Sequence, residues 1–251
     1  MTHNLFRIPL LIFVCFVFGS TESFAQCGGG TKPCETTKET TITLLPESAD
    51  SYNNRGVDYG RNGDFDAAIR EYSKAIELDP QYAEAYYNRG VANSNKKDYD
   101  AAIRDYTKAI ELNPALASAY GNRGNSYFKK ENYEAAIQDF TKVIELDSQD
   151  VRAFGNRGRA HFKKGNYDAA IRDYTTAIGL NPRYAGAYYI RGLGYYGKGE
   201  YRLAVLDFNR AIDLDSNNPD QYELRALAYR KIGETTLAEA DERRAARLRN
   251  K

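Results

Sequence analysis

An Arg-Gly dipeptide begins at Arg55, Arg89, Arg123, Arg157 and Arg191, each 34 residues after the last. A sixth step lands on Arg225, where the glycine has become Ala226. Self-similarity at one fixed period confines a chain to stacked copies of a single supersecondary unit. The blocks run 49–82, 83–116, 117–150, 151–184, 185–218 and 219–251. In such an array each unit contacts only its neighbours, so no single central core is expected.

The second block shows what the unit is. Tyr86, Arg89, Gly90 and Asn93 are spaced i, i+3, i+4 and i+7, which is one face of a helix. Ala102, Tyr106 and Ala109 mark a second such face. Between them lies Lys96-Lys97-Asp98, equivalent to Asn62-Gly63-Asp64 and Lys164-Gly165-Asn166. Gly there ends one helix in the left-handed conformation, and Asp or Asn caps the next. Asp66, Asp100, Glu134 and Asp168 follow in the first turn, where the helix dipole favours negative charge. Asp79-Pro80, Asn113-Pro114 and Asn181-Pro182 stop the second helix. The expected unit is helix–turn–helix, and the expected fold is all-α.

The pattern resembles the tetratricopeptide repeat, whose signature is Trp-x2-Leu-Gly-x2-Tyr, then Ala-x3-Phe, then Pro, over 34 residues. Tyr52-x2-Arg55-Gly56-x2-Tyr59, Ala68-x3-Tyr72 and Pro80 carry it most clearly. Tyr, or Phe154, stands for the family Trp, and Arg stands for the family Leu in all six blocks. The resemblance covers 49–251 and implies a right-handed superhelical solenoid of six repeats. The last block has the character of a cap. Glu242 occupies a column that is Tyr or Phe elsewhere, and its second helix is rich in Glu, Asp and Arg. A terminal repeat needs such a polar outer face because nothing stacks on it.

Ahead of the array, 1–25 reads as a secretory signal peptide. Arg7 supplies the positive n-region, Leu10 to Phe18 the apolar stretch, and Ser23-Phe24-Ala25 the cleavage site. The apolar run is far short of the ~20 residues of a membrane-spanning helix. Gln26 is too large for the residue before a lipidated cysteine, so export without lipidation is expected. Residues 26–48 form a Gly- and Thr-rich linker. Within it Cys27 and Cys34 can close a small disulfide loop in an exported protein. The expected location is the periplasm or the exterior.

Little here suggests chemistry. His161 is the one histidine beyond the signal segment, and it shares a column with Tyr59, Tyr127, Tyr195 and Tyr229 that faces the partner helix. No zinc spacing, nucleophile triad or phosphate loop is present, so neither cofactor nor catalysis is expected. A net charge of +1 argues against nucleic acid, which demands a concentrated basic surface. The basic tail Arg243, Arg244, Arg247, Arg249 and Lys251 sits well at a helix C-terminus without a partner. Sixteen residues after each repeated Arg comes an acid: Glu71, Asp105, Asp139, Asp173, Asp207 and Asp241. Repeated Arg–carboxylate pairs explain both columns, with pairing inside a repeat or across its boundary both compatible with the spacing.

The other face of the first helix carries Glu84, Tyr87, Asn88, Val91, Ser94 and Asn95. The resemblance implies that this face lines a concave groove for peptides or extended protein segments. Asn54, Asn88, Asn122 and Asn156 repeat there in register, an amide ladder able to pair with a peptide backbone. The family's clamp for chaperone tails needs cations where Gly121, Gly186 and Ile190 stand, so that clamp is absent. Asn125, Phe128, Lys129, Arg152, Arg159, Phe162 and Lys163 make the middle basic and aromatic, and Tyr189 and Ile190 begin an apolar end. The expected protein is a non-catalytic scaffold that holds a protein or peptide partner. The alternatives are a substrate-presenting subunit of an envelope enzyme complex and a self-assembling structural repeat protein.

Overall fold

The computed structural model describes residues 47–250. The expected signal peptide, nearly all of the linker and the Cys27–Cys34 pair lie outside those residues. Within them are twelve helices and no strand. The first helices of the six pairs are α1 (Ala49–Arg61), α3 (Ala83–Asn95), α5 (Ala117–Lys129), α7 (Val151–Lys163), α9 (Ala185–Gly197) and α11 (Pro219–Lys231). Their partners are α2 (Phe65–Leu78), α4 (Tyr99–Leu112), α6 (Tyr133–Leu146), α8 (Tyr167–Leu180), α10 (Tyr201–Leu214) and α12 (Thr235–Arg249).

Each helix packs on the next in sequence, and consecutive first helices also touch. Consecutive second helices do not. The array therefore curves with its first helices on the inner side, which makes their inward, exposed face concave.

The core is a column repeated along the array. Tyr72, Tyr106, Phe140, Tyr174 and Phe208 are buried in the second helices, beside fully enclosed Ala68, Ala102, Ala136, Ala170 and Ala204. Each buried ring contributes roughly 1.5–3 kcal/mol. Every ring needs its partner helix close by, and the signature glycine provides that. A Cβ added at Gly90, Gly124 or Gly192 would come within 2.8–2.9 Å of the facing ring.

Turn chemistry follows the sequence reading with two departures. Gly63, Gly165, Gly199 and Gly233 take φ near +80°, while Lys97 (φ 65°) and Glu131 (φ 60°) take the same left-handed place despite their side chains. Asp64, Asp98 and Asn132 cap the following helix by accepting from Ala67, Ala101 and Ala135 N–H. Asn166 makes no such bond, and nothing in the structure explains the difference. Second helices end in an extended residue such as Asp79 or Asn181, whose carbonyl-bearing side chain accepts from the backbone two residues on.

The Arg and acid columns pair inside each repeat. Arg123 donates through Nε and Nη2 to both oxygens of Asp139, at 2.9 and 2.7 Å. Its remaining nitrogen, Nη1, donates to Thr107 Oγ1 in the preceding repeat at 3.0 Å. The same three bonds recur from Arg89 to Asp105 and Ser73, from Arg157 to Asp173 and Thr141, and from Arg191 to Asp207 and Thr175. Arg225 uses Asp241 and Asn209. One side chain thus closes its own repeat and staples it to the last one. Burial pushes the Asp139 carboxyl up against the pull of Arg123, whose own guanidinium the hydrogen bonds raise. Desolvation consumes much of the pair's attraction, so its worth lies in geometry more than in net stability.

A second ladder joins the repeats at their turns. Lys96, Lys130, Lys164 and Lys198 pair with Asp66, Asp100, Glu134 and Asp168 of the preceding repeat. Those acids do more than complement a helix dipole. The pairs are exposed, and each is worth at most about 1 kcal/mol.

Both ends of the array are finished with charge. Arg55 has no preceding hydroxyl, and Glu47 takes that place with two hydrogen bonds of 2.7 and 3.0 Å. Those bonds draw the Glu47 carboxyl down to about 2. At the other end Glu242 pairs with Arg230, and Glu239 meets Arg243. Arg249 folds back onto Asp220 and Glu223, which absorbs part of the basic tail.

Candidate functional site

The concave face changes along its length because its columns change. In the column of Tyr87, the six repeats carry Asn53, Tyr87, Gly121, Gly155, Tyr189 and Glu223. Tyr87 leans on Tyr106, and Tyr189 on Phe208, with ring centroids 6.0 and 6.3 Å apart. Repeats three and four have no such ring. Over Gly155 the gap is filled from elsewhere, since a Cβ there would lie 3.2 Å from the Tyr184 hydroxyl. Over Gly121 it is not, and the nearest group to a Cβ would be Val143 at 3.8 Å. The residue matching Tyr184 in that repeat is Asp150, which turns its carboxylate to cap α7 through the N–H groups of Arg152 and Ala153.

Two local choices, Gly121 and Asp150, therefore leave a cleft of about 430 Å³ on the concave side. Phe140, Val143 and Gly121 floor it, and Tyr87, Ala117 and Ala153 line its sides. Ser118, Asn122, Asn125, Asp150, Arg152 and Asn156 supply the polar lining. Arg152 is almost fully exposed and lies 3.9 Å from Asp150.

Of the residues expected in the groove, Asn122, Asn125, Arg152 and Asn156 are brought together here. The others are distributed. Asn54 stands exposed on α1, outside the cleft. Asn88 is half-buried and donates to Asn53 Oδ1 at 3.1 Å, while Asn122 donates to the Tyr87 hydroxyl at 3.1 Å. Two rungs of the ladder thus spend an N–H on a neighbouring repeat. Among the described residues their side-chain oxygens have no donor, so what they offer a ligand is an acceptor.

Phe128 packs on Ala136, Phe140 and Ala160 and meets Tyr133 edge-on. Arg159 lies over its ring at 4.3 Å, a cation–π contact that holds the guanidinium at the groove surface. Phe162 leans on Tyr167 in the same way. Lys129 and Lys163 are exposed in the last turns of α5 and α7. Tyr189 and Ile190 are half-buried in repeat five, away from the cleft. Across the inward faces of α5 and α7, Lys129, Arg152, Arg159 and Lys163 face no carboxylate other than the capping Asp150. The surface there is positive.

Sequence reasoning placed Tyr87 on the groove face but missed Ser118, Ala153 and Asp150, and took Gly121 only as a missing cation. The available signal was the column itself, in which two successive glycines stand between Tyr87 and Tyr189. His161 is half-buried with its pKa lowered by burial, and its Nδ1 is buried without a partner. Among the described residues no group of His, Cys, Asp or Glu is arranged to hold a metal ion. No described helix is long and apolar enough to cross a membrane.

Family models of the tetratricopeptide repeat match residues 83–116, 117–150 and 156–219, and a model described as a TPR repeat matches 58–97. No relative is found among curated protein sequences. Among solved structures, MamA is 29% identical, with a TM-score of 0.63 over 64% of this chain and 94% of its own. YrrB, described as a TPR protein with an unusual peptide-binding site, is 24% identical, with a TM-score of 0.63 over 71% and 92%. The C-terminal part of a TPR repeat-containing protein from Cytophaga hutchinsonii is 20% identical, with a TM-score of 0.70 over 80% and 83%. The last two likenesses are of fold alone. With its 34-residue period, its twelve paired helices and these matches, the chain belongs to the tetratricopeptide repeat proteins.

Proposed function

We propose that this chain is a non-catalytic scaffold of the bacterial envelope that holds an extended protein segment along its concave face. The observation that carries the reading is the middle of that face, where an open cleft, side-chain amides and four cations coincide without a structural use for most of them. Asn125, Asn156 and Arg152 are not needed to close the array, in contrast to the Arg column, whose nitrogens are consumed by it. An extended chain rises about 3.3 Å per residue and neighbouring helices lie roughly 10 Å apart, so one ladder amide would meet about every third ligand residue. The ligand suited to this face is acidic in its middle, with an apolar residue toward repeat five.

Self-assembly by end-to-end stacking is the weaker alternative. A seventh repeat would aim its Arg at the column of Ser73, Thr107, Thr141, Thr175 and Asn209, and Arg243 stands there at the open end. At the other end Glu47 already occupies Arg55. A substrate-presenting subunit would bind through the same face and would reveal itself by a stably co-purifying enzyme.

The variant with Asn88→Ala, Asn122→Ala and Asn156→Ala together should keep its helical circular dichroism and melt cooperatively, at a somewhat lower temperature because the bonds to Asn53 and Tyr87 are lost. Quantitative affinity capture from an envelope fraction should then show loss of the partner held by the unaltered protein. Equal capture by the folded variant would remove the ladder from the account. Export is proposed with cleavage after Ala25 and a Cys27–Cys34 disulfide. Intact mass and thiol counting should find a Gln26 start without free thiols, and a retained Met1 or two free thiols would sink the corresponding half.

A further inference from the structure

The cleft over Gly121 has a shape that the array itself interprets. In repeats two and five the same place is filled by Tyr87 and Tyr189, each leaning on the buried ring of its own repeat. In repeat four Tyr184 fills it from the next turn. In repeat three the space above the buried ring, Phe140, is left open between Tyr87 and Ala153. A gap of this size with an apolar floor of Phe140 and Val143 under a polar rim favours a flat ring, whose burial is worth roughly 1.5–3 kcal/mol. The rim adds charge: Arg152 is free of strong pairing, and Arg159 and Lys129 stand on the same two helices.

We propose that the cleft over Gly121 is a specificity pocket that takes one aromatic side chain from an acidic, extended segment of a partner protein. The incoming Phe or Tyr replaces the tyrosine that this repeat lacks. Aspartate or glutamate within about three residues of it, on either side, meets Arg152 and the neighbouring cations. Asn122, Asn125 and Asn156 accept from or donate to the backbone between them. The proposal rests on the groove reading above and adds to it the chemistry of one ligand position.

The test uses a random nonapeptide library displayed on phage and selected against the purified protein. Selected peptides should carry one Phe or Tyr flanked by Asp or Glu, and replacing that ring by Ala should weaken binding roughly 10- to 100-fold. Gly121→Tyr, which fills the gap as the second and fifth repeats do, should weaken the parent peptides by a similar factor and leave the melting temperature unchanged or higher. Gly121→Ala should fold equally well and cost less affinity. Peptides that bind Gly121→Tyr as tightly as the unaltered protein, or that carry no aromatic residue, would overturn the pocket and leave the groove standing. Selection of no peptide at all would overturn both.

Discussion

Arg123→Leu and Asp139→Leu, made separately, should each lower the unfolding free energy by about 3–5 kcal/mol, and the double change should recover most of that loss. Each single change strands a charge in a place from which water is largely excluded, since the Arg123 and Asp139 side chains are 17% and 6% exposed. Removing both leaves two apolar groups between helices that are already apolar at that contact. The rise of the buried Asp139 carboxyl points the same way, because burial disfavours its charged form even beside Arg123. Thr107→Val should cost about 1 kcal/mol by taking the acceptor from Arg123 Nη1. That loss should appear as weaker coupling between repeats two and three, seen as earlier amide exchange on one side of the boundary. Chemical denaturation of the four-member cycle decides the pairing: additive losses in Arg123 and Asp139 would show that the two do not interact.

Gly192→Ala should destabilise by about 1–3 kcal/mol even though alanine is the better helix former. The added Cβ would lie 2.8 Å from Cε1 of Phe208, a ring with no exposed surface and no room to withdraw. Gly179→Ala provides the opposite sign. Nothing lies within 4 Å of its Cβ position, so there the substitution should stabilise by about 0.5–1 kcal/mol. The sixth repeat has already made the corresponding exchange. Ala226 replaces the glycine where Glu242 replaces the ring, and Ala226 is buried without conflict. Thermal or denaturant melts of the two variants should therefore move in opposite directions. A stabilised Gly192→Ala would mean that the ring can shift and that the glycine is not set by it.

The reason the array was legible is that its information is repeated. Five copies of Arg-Gly and of the ring column, and six of the alanine column, average out local irregularity, so helix faces, turns and cap read directly from spacing. The Arg–acid pairing was half legible. Both columns could be seen, but a side chain that reaches sixteen residues in each direction along a folded repeat has no counterpart in linear spacing. The lysine ladder was hidden for a similar reason. Asp66 and Asp100 already had a sufficient local explanation in the helix dipole, and their partners lie thirty residues on. The candidate site was the least legible part. Gly121 and Asp150 open a cleft only together, and only because Tyr184 closes the equivalent space one repeat later. That depends on how side chains fill volume, which a column of letters does not convey. Of the residues chosen from sequence, four meet at the cleft.

On the proposed function, a partner segment lies on the first helices rather than on the second. Photo-crosslinking tests it most directly. A selected peptide carrying benzoylphenylalanine at successive positions would be bound, irradiated and digested, and the adducts located by mass spectrometry. Adducts are expected on inward residues of α3, α5 and α7, such as Tyr87, Ser118, Asn125 and Asn156. Adducts on outward residues of the second helices, such as Arg104, Gln138 and Arg172, would contradict it.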